Sequence, residues 1–124
     1  MQKDALQTLQ DKLLAFAKAR DWEQFQSPKN LSMAIAIEAA ELMEHFQWLD
    51  NDASRNLPDE KHRAAAFELA DVFMYTLLMA ERMGIDLVAT THDKMALNEK
   101  RYPAERVKGQ AKKHNEYSQP ASEP

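Results

Sequence analysis

The 124-residue chain, with 44% apolar side chains, fits one domain with one core of moderate size. It has no cysteine, which excludes a disulfide scaffold, a thiolate zinc site, an iron–sulfur cluster and a cysteine nucleophile. Its two glycines, Gly84 and Gly109, cannot write a P-loop or a GxGxxG turn, and a net charge of −4 lacks the footprint of a DNA- or RNA-binding domain. Phosphate must be held another way, and nucleic-acid polymers are not expected partners.

Met1 to Leu13 is polar and mixed in charge where a secretory peptide needs a basic start and an apolar run, so the expected address is cytoplasmic. Between the five prolines, helix-forming Ala, Leu, Met, Glu, Lys and Gln dominate, which predicts an all-α fold. A first helix is expected over about Lys3 to Ala19, with Leu6, Leu9, Leu13, Phe16 and Ala17 as one apolar stripe. Arg20 to Lys29, carrying Trp22 and Phe25 without periodicity and Ser27-Pro28 at its end, reads as a loop.

The second helix, about Leu31 to Leu49, is apolar almost all round and should be central. It has more surface to bury than three short neighbours can cover, which predicts self-association. Asn51 to Pro58 is a polar connection, and Pro58-Asp59-Glu60 starts a third helix that runs to about Met83 and stops at Gly84. Its most apolar part, Ala64 to Ala80, carries Glu68 and Asp71 and is too short and too charged for a membrane span, so it reads as a buried soluble helix. A fourth helix covers about Leu87 to Lys100 and ends before Pro103. Four helices on short loops predict a bundle over residues 1–106, with a polar tail, 107–124, too poor in apolar residues to offset its ordering entropy.

Glu38, Glu41 and Glu44 recur at i, i+3 in the second helix, and Glu68 and Asp71 do so in the third. Residues three apart share a face, so each helix presents a carboxylate pair, and antiparallel packing lets the pairs converge. No Lys or Arg occurs within residues 31–50 or 64–81. Buried anions need a cation, a proton or several donors, and a metal ion is the simplest partner. All-oxygen ligation selects Mg²⁺ or Mn²⁺, which commonly takes substrate phosphates as further ligands. A di-iron bundle needs Glu-x-x-His on two helices, and His45, His62, His92 and His114 supply no such spacing. The alternative is that these acids are half-exposed helix residues paired with bases from other segments.

In these strings the chain resembles the MazG-like all-α nucleoside triphosphate pyrophosphohydrolases and, within them, the dCTP pyrophosphatase branch. The resemblance spans about Leu14 to Pro103. It is carried by Glu38-Ala-Ala-Glu41 and Glu68-Leu-Ala-Asp71, by Arg20-Asp21-Trp22-Glu23-Gln24-Phe25 and Pro28-Lys29-Asn30-Leu31, by Glu41-Leu42 with Phe46-Gln47-Trp48, by Asp71-Val72 with Tyr75, and by Lys94, Asn98 and Arg101-Tyr102-Pro103.

The resemblance implies Mg²⁺-dependent hydrolysis of a dNTP between the α and β phosphates, giving dNMP and pyrophosphate in nucleotide-pool house-cleaning, with dCTP-like or modified pyrimidine substrates favoured. It implies metal binding and catalysis at Glu38, Glu41, Glu68 and Asp71, and a homotetramer built as a dimer of dimers. Trp22 and Trp48 match positions lining a base and sugar pocket, Tyr75 faces the same side as Asp71, and Lys94, Asn98 and Arg101 near Tyr102 suit a phosphate tail. Trp22 and Trp48 also read as core or interface tryptophans, Tyr75 as a core phenol, and the last set as a solvated face. The chain carries Leu13 or Leu14 where some dCTP-selective relatives have a polar residue, which predicts looser base selectivity. The competing readings are a non-enzymatic metal-binding or regulatory helical module and a broad-specificity or dUTP-type pyrophosphatase.

Overall fold

The structure, a computed structural model, describes residues 3–116. Among them every regular element is helical: α1 (Ala5–Ala19), α2 (Pro28–Glu44), α3 (Asn51–Ser54), α4 (Asp59–Arg82), α5 (Leu87–Arg101) and α6 (Ala104–Val107), with 3₁₀ turns at Glu23–Phe25 and His114–Glu116. The four long helices are the expected ones; the two short ones were not anticipated. No helix of the described residues is long and apolar enough to cross a membrane. The chain divides into two compact units at Ile85.

In the first unit α4 packs against both α2 and α1. The sequence points to α2 as the central helix, but in the single chain that place falls to α4, which holds the buried Ala65, Leu77, Leu78 and Ala80, while Leu31 and Ala17 are the buried residues of α2 and α1. Gln10 Nε2 donates to the Leu77 carbonyl at 2.9 Å and ties α1 to α4. Much of the apolar surface of α2 stays open: Met33, Ile37 and Met43 are each about half exposed.

Side-chain oxygens set the helix starts. Asp4, Ser27 and Asp50 accept from the backbone N–H of Gln7, Asn30 and Ala53, so α1 starts at Ala5 and the first turn of α2 includes Pro28 at N1. Ser27, which Pro28 keeps out of helical geometry, is therefore a cap and not only a loop residue. α2 ends at Glu44, five residues before the expected Leu49, because bonds from His45, Phe46 and Leu49 N–H to the carbonyls three residues back tighten the chain. Asp50 then caps α3 inside the connection read as irregular.

α1 and α4 end by the same device. Met83 closes α4, Gly84 turns left-handed at φ 63°, and the N–H groups of Gly84 and Ile85 donate to the carbonyls of Glu81 and Ala80. At the end of α1, Asp21 takes the glycine's place at φ 53°, and Asp21 and Trp22 N–H donate to Lys18 and Ala17 carbonyls. The apolar contact that accompanies this turn is Trp22 on Phe16, ring centroids 5.7 Å apart and 70° between planes. Gln24 Nε2 donates to both the backbone oxygen and the carboxylate of Asp21, which supports the left-handed residue locally.

The second unit starts at Asp86, whose side chain caps α5 at Ala89 N–H. Lys94, Asn98 and Arg101 lie on α5, Tyr102 closes it by donating its N–H to the Asn98 carbonyl, and α6 follows Pro103. Of the expected tail, 107–124, residues 117–124 lie outside the described residues.

A β-branched side chain at Asp21 meets the full left-handed penalty. Asp21→Val lowers unfolding stability by about 1–2 kcal/mol in urea, whereas Asp21→Gly does not. In a Trp48→Phe background the Val variant also shifts the Trp22 emission, because the ring leaves Phe16.

Candidate functional site

The i, i+3 carboxylates converge as their spacing requires. On the paired helices α2 and α4, Glu38, Glu41 and Glu68 each place one carboxylate oxygen within 4.8 Å of the other two, and all three side chains are half-buried. Asp71, one turn beyond Glu68, stands outside that tight trio but near enough for its charge to act on Glu38. Glu44 is exposed and takes no part.

The trio is electrostatically unsatisfied. Oε2 of Glu38 and Oε2 of Glu68 are both buried with no hydrogen-bond partner. Withdrawal from water is the main reason the Glu38 carboxyl rises from 4.5 to about 7; hydrogen bonds with Glu41 and Glu68 and the charges of Glu41 and Asp71 add to it. Tyr75 is raised from its ordinary value by burial, then by the charges of Glu38, Asp71 and Glu41. Hard oxygen donors, two of them orphaned and sealed from water, fit a divalent cation.

Beside the acids lie two hollows. One of about 120 Å³ is lined by Asp71, Tyr75, Trp22, Phe16, Leu13 and Gln26, among others, and one of about 250 Å³ by Trp22, Phe25, Gln26, Asn30 and Tyr75 together with Leu31 and Ala34. Trp22, Gln26 and Tyr75 border both. The helix-ending turn at Asp21 explains how a loop tryptophan reaches this wall: it folds Trp22 back over Phe16, while the Arg20 guanidinium covers the Phe16 ring at 3.5 Å from its centroid and donates to the Phe16 carbonyl. Asn30 Nδ2 donates to the Phe25 carbonyl at 2.9 Å and closes the loop onto α2.

Of the residues singled out in the sequence, Glu38, Glu41, Glu68, Asp71, Tyr75 and Trp22 therefore gather in one neighbourhood. Trp48 does not join them; it is 87% exposed in the turn after α2. Lys94, Asn98, Arg101 and Tyr102 belong to the second unit, where Asn98 and Tyr102 are half-buried and Lys94 and Arg101 exposed. Phe16 and Gln26 line the hollows without having been noticed as site residues. Phe16 carries a readable signal in its spacing from the Trp22 turn; Gln26 carries none.

The raised Glu38 carboxyl has a consequence for metal-free protein. Below pH 4.5 folded and unfolded states both hold the proton; above it the unfolded state releases the proton first, so stability falls as pH rises and the penalty is complete above about pH 7. In chelator-treated protein the melting temperature is expected to decline across that window, and Glu38→Gln to flatten the decline, as read by calorimetry at a series of pH values.

With this geometry in hand, the relatives are informative. Residues 33–117 match the MazG-like family. dCTP pyrophosphatase 1 from Homo sapiens is 40% identical over 103 residues, and the same protein from Rattus norvegicus 41%; both matches cover 82% of this chain and 61% of the relative's own length. The crystal structure of a pyrophosphatase from Archaeoglobus fulgidus superposes with a TM-score of 0.78 at 33% identity, covering 83% of this chain and 96% of that one. The carboxylate pairs of α2 and α4, the helical architecture and these matches agree: the chain belongs to the MazG-like family.

Proposed function

We propose that the protein is a Mg²⁺-dependent nucleoside triphosphate pyrophosphohydrolase that converts a dNTP, with dCTP-like or modified pyrimidines favoured, to dNMP and pyrophosphate in nucleotide-pool house-cleaning. The observation that carries this reading is the convergence of Glu38, Glu41 and Glu68, two of their oxygens buried and unpaired, beside hollows walled by Trp22 and Tyr75. Similarity to dCTP pyrophosphatases and to a pyrophosphatase of known structure supports it.

In this reading Glu38, Glu41, Glu68 and Asp71 hold Mg²⁺, with Mn²⁺ as a possible substitute. When bound, such a cation neutralises triphosphate charge and brings a water into nucleophile range near neutral pH. Water adds to the α-phosphorus as the bond to the α–β bridging oxygen breaks, and one of the four carboxylates takes the water's proton. Trp22 offers an aromatic face to the base. The Tyr75 phenol donates toward the sugar or a phosphate.

The chain is further proposed to work as a homotetramer, a dimer of dimers. On α4, Phe67 and Leu69 are each nearly 60% exposed and Phe73 43%, and with Ile37 of α2 at 58% they make more apolar surface than a solitary chain usually leaves to water. Light scattering after gel filtration is expected to give a mass of at least two chains, and Leu69→Glu with Phe73→Asp to reduce it. A wild type running as a monomer at micromolar concentration contradicts this.

Activity is tested by incubating the protein with each dNTP and NTP, with and without Mg²⁺, while monophosphate and pyrophosphate are resolved from diphosphate and orthophosphate. Pyrophosphate release is expected to require Mg²⁺ and to fall about 10²-fold or more in Glu38→Gln. A folded, Mg²⁺-binding protein that releases none from any nucleotide is a binding module instead.

A further inference from the structure

All sulfur in the chain is methionine sulfur, since cysteine is absent. Met33 and Met43 on α2, Met83 at the end of α4 and Met95 on α5 are exposed and stand in the wall of neither hollow. Met74 of α4 is placed differently: with Leu13, Phe16, Leu78, Trp22 and Tyr75 it walls the hollow of about 120 Å³. It follows Asp71 by one turn, so thioether and carboxylate share a face of the helix. Met74 is 36% exposed, which leaves it open to water and to small solutes.

A thioether fills irregular apolar space well, and it is also the group in this wall most readily oxidised. A hollow that must admit a nucleotide cannot keep out a peroxide, which is far smaller. Oxidation turns the flexible apolar side chain into a polar sulfoxide. Against Leu13, Phe16 and Leu78 the new oxygen finds no donor, and leaving it unpaired there is unfavourable once a ligand drives out water. If it turns instead to the Tyr75 hydroxyl or the Trp22 indole N–H, it occupies a donor of the same wall. In both arrangements the hollow holds an aromatic ring less well.

We propose that Met74 is an oxidative modification site: a peroxide converts its thioether to the sulfoxide, and the altered wall binds nucleotide more weakly until the sulfoxide is reduced. A sulfur lone pair attacks one peroxide oxygen, and the S–O bond forms as the O–O bond breaks. The departing hydroxide takes the proton left on the transferred oxygen and becomes water; sulfur loses two electrons and the peroxide gains them. A dithiol reverses the step, leaving as a disulfide while the oxygen departs as water, which is the reaction of methionine sulfoxide reductases. The loss of activity rests on the pyrophosphohydrolase reading above, whereas the modification itself does not.

The test treats the wild type and Met74→Leu with graded hydrogen peroxide. Peptide mass spectrometry locates each sulfoxide, melting temperature follows folding, and kcat/KM for dCTP is divided by each protein's own untreated value. The wild type is expected to lose about tenfold, mainly through KM and in step with the Met74 sulfoxide, and to recover with a methionine sulfoxide reductase and dithiothreitol. Met74→Leu, oxidised to the same extent at Met33, Met43, Met83 and Met95, keeps its value. In a Trp48→Phe background, Trp22 emission shifts on oxidation only when Met74 is present. Equal losses in both proteins, a Met74 left unoxidised when the exposed methionines are converted, or a Met74 sulfoxide without change in KM each overturn the proposal. A wild type that releases no pyrophosphate before treatment overturns the reaction reading instead; the Trp22 emission then decides the modification, a shift that requires Met74 supporting it and an unchanged emission overturning it.

Discussion

Putting three carboxylates with oxygens within 4.8 Å of one another onto two packed helices is unfavourable in itself, and the rest of the first unit is arranged around that cost. α2 and α4 pack closely enough for Glu38 and Glu41 to face Glu68. The same closeness seals an oxygen of Glu38 and one of Glu68 from water, and a strand of consequences follows in the raised carboxyl of Glu38 and the raised phenol of Tyr75. A fold selected only for stability would place a lysine or leucine at such a position. Electrostatic cost of this kind, kept in one corner of a structure that is otherwise locally consistent, is the physical mark of a candidate functional site.

The aromatic wall beside the acids is built by a different and cheaper means. Trp22 owes its position to backbone hydrogen bonds that end α1, to the edge contact with Phe16, and to the Arg20 guanidinium covering the same ring. Its connection to α4 runs through Arg82 and the Gln26 carbonyl. Acids on long helices and an aromatic face on a hydrogen-bonded turn are thus the two halves of the site.

The legible parts of the sequence were those that physics repeats. The i, i+3 spacing of Glu38 with Glu41 and of Glu68 with Asp71 forced a common face, and Gly84 announced the end of α4. Asp21 performs the same turn as Gly84 and went unread, because aspartate enters the left-handed region only with support such as Gln24 gives it, and that support is tertiary information at the scale of one turn. The end of α2 was misplaced for a similar reason: His45 to Leu49 has helical composition, and only the competition from three-residue backbone bonds and from Asp50 capping α3 shortens it. Gln26 was invisible, since its backbone carbonyl meets Arg82, 56 positions away, only in the folded chain. The reading of α2 as central mistook apolarity for burial; Ile37 shows that a helix can be apolar all round and still face outward.

That outward apolarity bears on how the protein resists unfolding. Among the described residues six are buried, and three of these are alanines, Ala17, Ala65 and Ala80, which contribute little transfer free energy. Leu31, Leu77 and Leu78 cannot by themselves offset the ordering entropy of so many helical residues. In the proposed assembly a second copy covering the exposed Phe67, Leu69 and Phe73 would supply part of the folding free energy, and by mass action the unfolding temperature would then depend on protein concentration. In the proposed assembly, dilution, which leaves a self-sufficient domain untouched, would act as a denaturing condition.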